Sequence, residues 1–232
     1  GMPESTSISQ ISSTARLVSI KELYEYFPID GVTTNPTILS KEGKNPYEVL
    51  MAIRDFIGPD AELHVQVVGR DAETMYEEAH MIRKRLGEKT FIKVPVTREG
   101  LKAIKILKKH DFPVTATAIY THMQAFLAGK AGADYAAPYV NRIDNLGVDG
   151  IREAKEIHDI FRNNGLKTEV LAASFKNSQQ ALELAKHGVG AATISPDVIE
   201  GLVAIDAVYH AVDVFIKDFE SFCGEGTNMV TV

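Results

Sequence analysis

The hydrophobic pattern of the chain alternates between a strand period and a helix period. Short apolar runs bounded by turn residues predict strands at residues 8–14, 31–36, 62–68, 90–97, 113–119, 135–140, 168–174 and 191–195. Apolar residues three and four positions apart predict helices at residues 18–27, 46–58, 71–87, 99–110, 121–131, 150–164 and 177–187, and two closing helices at 197–203 and 205–222. Each predicted strand is therefore followed by a helix.

This order predicts a parallel sheet, because a helix between two strands makes a crossover connection. Eight such units close most naturally into a (β/α)8 TIM barrel. An open doubly wound sheet is the rival fold, but the chain has neither G-x-G-x-x-G after its first strand nor G-x-x-x-x-G-K-[ST] anywhere. We therefore expect a single α/β barrel domain over residues 1–232, with residues 1–7 flexible and an extra C-terminal helix at 205–222.

Composition narrows the class of protein further. Apolar residues make up 45% and charged residues 24% of the 232 positions, which is typical of a globular protein, and the net charge of −6 argues against a nucleic-acid partner. A single cysteine, Cys223, excludes an internal disulfide and suits the cytoplasm, and no Cys/His spacing predicts a metal site. No apolar run is long enough to span a membrane, and residues 1–10 do not resemble a secretory signal.

Polar residues stand near the carboxyl ends of strands whose other positions are apolar. Because TIM-barrel active sites form at that end, we expect these side chains to converge. They are Thr33 and Asn35, on one face by period two, and Gln66, Lys93, Thr117, Tyr139 and Ser174, with Arg142 just beyond the sixth strand.

Most of these residues also have a purely structural interpretation. A threonine such as Thr117 is common in strands, Gln66 can be a bonded core amide, and Tyr139 can be a packed ring with a tethered hydroxyl. Arg142 can form a loop ion pair with Asp144. His64 lies on the same strand face as Gln66, and we interpret it as a hydrogen-bonded barrel histidine rather than a base.

Lys93 is the residue that structural roles explain least well. It is centred in the apolar run Phe-Ile-Lys-Val-Pro-Val, with no carboxylate near it in sequence, and buried lysines are rare unless paired or used. Burial lowers the pKa of an amine, and the neutral amine attacks carbonyl carbons. The sequence therefore predicts a chemical role for Lys93, as an amine that can attack a carbonyl.

The residues around Lys93 also carry a family resemblance. The segments GVTTNPTI, FIKVPVTREGLKAI, TATAIYTHMQAFLAGKAGADYAAPYVNRIDNLG and LAASFKN resemble the small transaldolase family, and are most similar to its fructose-6-phosphate aldolase branch. The resemblance implies that Lys93 forms the imine, that Thr33, Asn35, Thr117 and Ser174 line the site, and that Arg142 binds a phosphate. It also implies that neither cofactor nor metal is needed, and that the chain forms rings of five, often paired into decamers through the last helix.

Two positions separate the branches of this family. Transaldolases carry glutamate where this chain has Gln66 and phenylalanine where it has Tyr139, so both residues favour the aldolase branch. The departure is at the first strand, where the family's aspartate is replaced by Ser13, and no acidic residue lies between Glu4 and Glu22. This replacement implies a lower rate or a different donor.

Three functions remain open at this point. The first is a class I aldolase that cleaves or forms a fructose-6-phosphate-like ketose, with Tyr139, Gln66 and Thr117 handling the proton through a water. The second is a transaldolase, which passes the dihydroxyacetone unit to an aldehyde acceptor. The third, motivated by Ser13, is a catalytically weak barrel that binds sugar phosphates.

Overall fold

The computed structural model describes residues 9–232, and of residues 9, 10 and 12 it describes the backbone alone. The predicted flexibility of residues 1–7 lies outside this range. The chain divides into two compact units, one ending at Pro196 and the other running from Asp197 to Val232. The single domain over residues 1–232 stays a prediction.

The first unit is a closed barrel of eight parallel strands in sequence order. Its strands are β1 Ser9–Ser13, β2 Gly31–Thr33, β3 Glu62–Gln66, β4 Thr90–Pro95, β5 Val114–Ile119, β6 Tyr135–Pro138, β7 Glu169–Ala172 and β8 Ala191–Ile194. The last strand pairs with the first, Ile11 lying opposite Thr193, which closes the sheet. The predicted TIM-barrel fold is confirmed.

Helices connect the strands on the outside of the barrel. They are α1 Leu17–Tyr26, α2 Pro36–Ser40, α3 Pro46–Ile57, α4 Ala72–Leu86, α5 Arg98–Lys109, α6 His122–Lys130, α7 Val140–Asn145, α8 Gly150–Asn163, α9 Ser178–His187, α10 Pro196–Gly201 and α11 Asp206–Cys223. Side-chain caps fix several starts: Asp71 accepts from the Thr74 N–H and Thr97 from the Gly100 N–H. Gly87, with φ 96°, ends α4 in a conformation that favours glycine.

Two connections differ from the sequence prediction. Strand β2 ends at Thr33 instead of continuing to residue 36, because Asn35 caps α2 and Pro36 occupies its first position. The loop predicted after β6 begins with the short helix α7, whose six residues were too few to show a helical period. Both helices start directly beyond the carboxyl end of a strand, so both lie at the face where we expected the site.

Strand residues facing outward form the main apolar core with the helices, and Val32, Leu63 and Val94 are examples. Residues facing inward fill the barrel, where Ile11 packs with Ala137, Leu171 and Ala191. Because side chains alternate along a strand, Ser13 shares the inward face of Ile11. The first strand therefore turns the position of the missing aspartate towards the barrel interior.

The amino-terminal half of the barrel interior holds a bonded polar cluster. His64 is fully buried, and its Nδ1 lies 2.8 Å from the Thr115 hydroxyl and its Nε2 3.2 Å from a Glu62 oxygen. The Tyr135 hydroxyl donates to the other Glu62 oxygen, and Phe91 stacks on the imidazole. Burial is the main reason that the pKa of His64 is lowered. The interpretation of His64 as a hydrogen-bonded barrel residue is confirmed.

The second unit contains most of α10 and all of α11. Apolar side chains on α11, among them Val208, Phe215 and Ile216, are exposed in this chain. The C-terminal residues Thr227 and Met229 line a cavity of about 260 Å³ together with Val212 and Phe219. No helix in residues 9–232 has both the length and the apolar character to cross a membrane.

Candidate active site

Lys93 lies within the barrel with no ionic partner among the described residues. Its side chain is buried in β4, and Nζ donates a 2.8 Å hydrogen bond to the backbone carbonyl of Thr34. Burial alone lowers the pKa of Lys93 to about 8. About a tenth of the amine is then neutral at pH 7, whereas an ordinary lysine would be neutral in fewer than about one molecule in a thousand.

The neighbouring strands place polar side chains on both sides of Lys93. Gln66 of β3 and Thr115 of β5 are its partners in the strand registers. The Gln66 Oε1 atom is buried and accepts no hydrogen bond from the described residues. Such an atom costs free energy unless a water or a ligand donates to it, so this oxygen marks a place for a donor beside the lysine.

A hydroxyl pair forms where β5 and β6 end. The Thr117 Oγ1 and Tyr139 Oη atoms lie 2.9 Å apart, with the threonine fully buried. Tyr139 is the N-cap of α7, and its own backbone N–H bonds Ile119 of β5. A phenol held by a second hydroxyl at a strand end can pass a proton to a bound water or substrate.

The carboxyl end of β5 is irregular, and the irregularity directs two aromatic rings. A bulge separates Ala116 from Ile119 in the pairing with β6, and Ala118 has a φ of 56°. The Gln124 amide holds this turn by donating to the Ala118 carbonyl and accepting from the Tyr120 N–H. Bulges next to active sites commonly redirect side chains, and here Tyr120 packs edge-on against Tyr139 at 5.8 Å.

Arg142 projects from α7 beside these two rings and is exposed. Its Nη1 lies 3.4 Å from the Tyr120 hydroxyl, and its guanidinium carbon lies 4.8 Å from the centre of the Tyr139 ring. The alternative ion pair with Asp144 does not form, because the Asp144 carboxylate accepts from the Gly150 N–H and the Gln180 amide. The guanidinium is therefore available to an anion.

Two further hydroxyls meet where β2 and β8 flank β1. The Thr33 and Thr193 hydroxyls share a 2.6 Å hydrogen bond, and both residues are buried. Ser13 of β1 is the register partner of Thr33. Its small side chain thus sits on the strand between these two threonines.

Asn35 and Ser174 complete the predicted set with backbone contacts. The Asn35 Oδ1 accepts from the Ile38 N–H and caps α2, so only its amide group is left to donate to a ligand. Ser174 follows β7 with a φ of 65°, and its carbonyl accepts from the Asn141 N–H. A serine in the left-handed region costs on the order of 1 kcal/mol, and such strain clusters at functional sites.

The structure joins the predicted residues into pairs rather than one network. Gln66 lies beside Lys93, Thr117 bonds Tyr139, and Arg142 packs on Tyr139. Sequence reasoning missed Tyr120, Thr193 and the Thr34 carbonyl. Tyr120 directly follows β5, and Thr193 interrupts the apolar run of β8. Both are therefore polar residues near the carboxyl end of a strand, which is the pattern that identified the predicted residues. The predicted site residues supply hydroxyls, amides, an amine and a guanidinium, which suit a sugar phosphate better than a metal ion.

Known structures share this fold at low sequence identity. A double mutant of flavocytochrome b2 with pyruvate bound matches with a TM-score of 0.59 at 13% identity, over 82% of this chain and 56% of that one. A mandelate oxidase mutant with an FMN adduct matches with a TM-score of 0.56 at 16% identity, over 95% and 75%. These likenesses support the barrel fold alone, and this chain spans little more than half the length of the flavocytochrome.

Sequence relatives identify the family. A probable fructose-6-phosphate aldolase of Streptococcus pneumoniae is 43% identical over 207 residues, which cover 89% of this chain and 93% of the relative. The family model described as transaldolase/fructose-6-phosphate aldolase matches residues 13–229. This chain is therefore an enzyme of the transaldolase/fructose-6-phosphate aldolase family.

Proposed function

We propose that this enzyme is a class I aldolase that cleaves or forms a fructose-6-phosphate-like ketose through an imine on Lys93. The observation that carries the proposal is the buried Lys93 amine, which has a backbone carbonyl as its hydrogen-bond partner and no carboxylate among the described residues. An amine in such a position is largely desolvated before substrate arrives, and its neutral form is the nucleophile.

The chemistry needs no group other than the lysine to accept electrons. Neutral Lys93 adds to the ketone carbon, and loss of water leaves a protonated imine. A base then takes the proton from the hydroxyl on the β carbon, counted from the imine carbon. The bond between the α and β carbons breaks, and its electrons neutralise the iminium to give an enamine. The aldehyde leaves, a proton returns to the enamine carbon, and water releases a dihydroxyacetone-type ketone together with free lysine.

Tyr139 is our proposed group for the proton transfers. Its hydroxyl is paired with Thr117, and the unbonded oxygen of Gln66 supplies an acceptor that can hold a water next to Lys93. A positive iminium favours the ionised phenol, because opposite charges stabilise each other at short range. A phenylalanine here would remove the proton carrier, and by the resemblance that is the transaldolase arrangement.

Arg142 is our proposed phosphate contact for the aldehyde half. It is exposed at the carboxyl end of the barrel beside the Tyr139 ring, and its planar fork matches phosphate oxygens. We assign the remaining polar groups, the Thr33 and Ser174 hydroxyls and the Asn35 amide, to the sugar hydroxyls.

Borohydride trapping tests the proposal directly. Wild-type protein, Lys93→Met and the exposed-lysine control Lys105→Met are incubated with dihydroxyacetone or fructose 6-phosphate, reduced, digested and mapped by mass spectrometry. We expect wild type and Lys105→Met to gain one adduct on Lys93 and Lys93→Met to gain none. An adduct on another lysine, or equal labelling of Lys93→Met, would contradict the assignment. Turnover with and without an added aldehyde acceptor separates aldolase from transaldolase activity, and binding without trapping would favour the weak sugar-phosphate barrel.

We also propose that the enzyme is a homo-oligomer. Support comes from α11, where Val208, Phe215 and Ile216 leave half or more of their surfaces exposed in the single chain. Size-exclusion chromatography with light scattering gives the mass, and a monomer at micromolar concentration would contradict the proposal.

A further inference from the structure

We propose that His122, Glu153 and Glu156 form a binding site for a divalent transition-metal ion of the Zn²⁺ class. The three residues lie on two helices outside the barrel: His122 begins α6, and the glutamates lie one turn apart near the start of α8. Their candidate ligand atoms all lie within 4.8 Å of one another. The site goes beyond the proposed function, which uses none of these side chains.

The distances suit a shared cation. The His122 Nε2 lies 3.0 Å from an oxygen of Glu153 and 2.7 Å from an oxygen of Glu156. Ligand atoms about 2.0–2.2 Å from one Zn²⁺ ion stand roughly 3.3 Å apart in a tetrahedron, so a small shift of these side chains fits the ion. Imidazole nitrogens and carboxylate oxygens are both zinc ligands, and three protein ligands with a water in the fourth position form an open zinc site.

The hydrogen bonding of the His122 Nε2 atom is the second observation that supports a metal site. Nε2 is buried from solvent and has no hydrogen-bond partner of good geometry among the described residues, although a carboxylate oxygen of each glutamate lies close to it. A simple imidazolium ion pair would aim its N–H at one oxygen. A buried nitrogen that stands close to two carboxylates without bonding either is a place where a metal ion would satisfy all three groups.

A neighbouring arginine orients one of the three candidate ligands. The Arg152 Nε donates at 2.9 Å to the second oxygen of Glu156, which leaves the first oxygen turned towards His122. Such second contacts orient metal ligands. The His122 side chain is 32% exposed and that of Glu153 is 16% exposed, so the cluster lies near the surface, and a water that enters with the ion would complete four-coordination. Bound metal would tie the start of α6 to α8.

Metal titration of the full chain tests the site. Protein dialysed against a chelator is titrated with Zn²⁺ by calorimetry and with Co²⁺ by visible absorption. The variants are His122→Gln, Glu153→Gln and Glu156→Gln, and the matched control is Glu183→Gln, whose carboxylate pairs with Lys155 and Lys186. We expect one ion per chain in wild type and control, with affinity about 100-fold weaker or worse in each of the three site variants.

Thermal unfolding gives an independent readout. Zn²⁺ should raise the Tm of wild type and of Glu183→Gln, because an ion that binds only the folded chain stabilises it, and should leave the Tm of Glu153→Gln and Glu156→Gln unchanged. The two carboxamide variants keep the shape of the side chain, so one of them serves if the other does not fold. Wild-type protein that binds no ion at millimolar Zn²⁺, or site variants that bind as tightly as the control, would overturn the proposal and leave an imidazole–carboxylate cluster only.

Discussion

Two cations in this barrel are equally buried, and only one of them is fully bonded. Lys93 and Arg54 each expose 8% of their surface. The Arg54 guanidinium donates to the carbonyls of Leu86, Gly58 and Ala61 and to the Thr90 hydroxyl, which ties the loops at the amino ends of β3 and β4 together. Within residues 9–232, Lys93 makes a single hydrogen bond, to the Thr34 carbonyl, at the other end of the barrel.

The difference shows that burial of a charge does not by itself indicate chemistry. Burial is the main cause that lowers the pKa of both groups. Arginine nevertheless keeps its proton at any physiological pH, and four hydrogen bonds offset its desolvation. Lysine with one neutral partner is left close to giving up its proton. A buried cation with few partners at the carboxyl end of the barrel strands is thus the better candidate for a reactive group.

The largest contrast is expected from exchanging each cation for methionine. Lys93→Met should abolish imine trapping and raise the free energy of unfolding at pH 7 by about 1–3 kcal/mol, because an apolar side chain replaces an under-bonded charge. Arg54→Met should leave trapping intact and lower the free energy of unfolding by about 3 kcal/mol or more, because the carbonyls lose their donor. Urea denaturation measures both, and equal destabilisation by the two variants would mean that Lys93 is structural.

Tyr139, the proposed proton carrier, gives the next largest effect. Tyr139→Phe should lower aldol cleavage by about 100-fold or more, the usual range for a lost acid–base group, while imine trapping on Lys93 persists. Residual activity should shift towards transfer to an added aldehyde. Steady-state cleavage and acceptor assays measure this, with Tyr135→Phe, in the amino-terminal polar cluster, as the control for loss of a buried phenol. A Tyr139→Phe enzyme that cleaves at the wild-type rate would exclude the role.

Arg142 gives a third comparison between a fully hydrogen-bonded cation and one with few partners. Unlike Arg54, it is exposed and makes one long hydrogen bond. Arg142→Gln should lower kcat/KM for phosphorylated aldehydes by about 30- to 150-fold, through loss of roughly 2–3 kcal/mol of charge-assisted bonding. Unphosphorylated aldehydes should be nearly unaffected. Equal losses with both kinds of aldehyde would show that Arg142 supports the fold, as Arg54 does.

Substitution of Ser13 tests whether the absence of a carboxylate near Lys93 affects activity. Ser13→Asp should raise activity on fructose 6-phosphate by about tenfold or more, because a carboxylate facing the barrel interior would stabilise the iminium, by about 3 kcal/mol before desolvation at a separation of roughly 5–6 Å. The neighbouring Thr33–Thr193 hydroxyl pair offers it a donor. Ser13→Asn is the uncharged control. A loss of activity on the enzyme's own donor would mean that serine is adapted to that donor, and a flat response across ketoses would remove the charge argument.

The pH dependence gives the finest test. With a pKa of about 8 for Lys93, the rate of imine formation should fall about tenfold per pH unit below pH 7 and level off above pH 8–9. In the unfolded chain the amine titrates near 10.5, so the unfolded state binds more protons at Lys93 between about pH 8 and 10.5, and the stability of wild type should rise relative to that of Lys93→Met across that window. Lys93→Met should lack this rise and Arg54→Met should keep it. A trapping rate that still climbs at pH 10 would show that burial does not activate Lys93.

The amino-acid sequence by itself determined the barrel and most of the polar set at its carboxyl end. Repeated strand and helix periods leave few ways to bury the apolar faces, so eight crossovers close into one sheet. Lys93 was identifiable because a charge inside an apolar strand must be paired or used. The side chains at strand ends were identifiable because inward and outward positions alternate along each strand.

The tertiary structure decided which of those residues meet. The pairing of Thr117 with Tyr139, of Tyr120 with Arg142 and of Thr33 with Thr193 depends on strand register, on the bulge in β5 and on barrel closure, none of which local sequence fixes. Asn35 became a helix cap because Pro36 starts α2. The His122 cluster joins helices some 30 residues apart in sequence, so no spacing rule could find it. Periodicity acts through neighbours along the chain, whereas these contacts form between residues that only folding brings together.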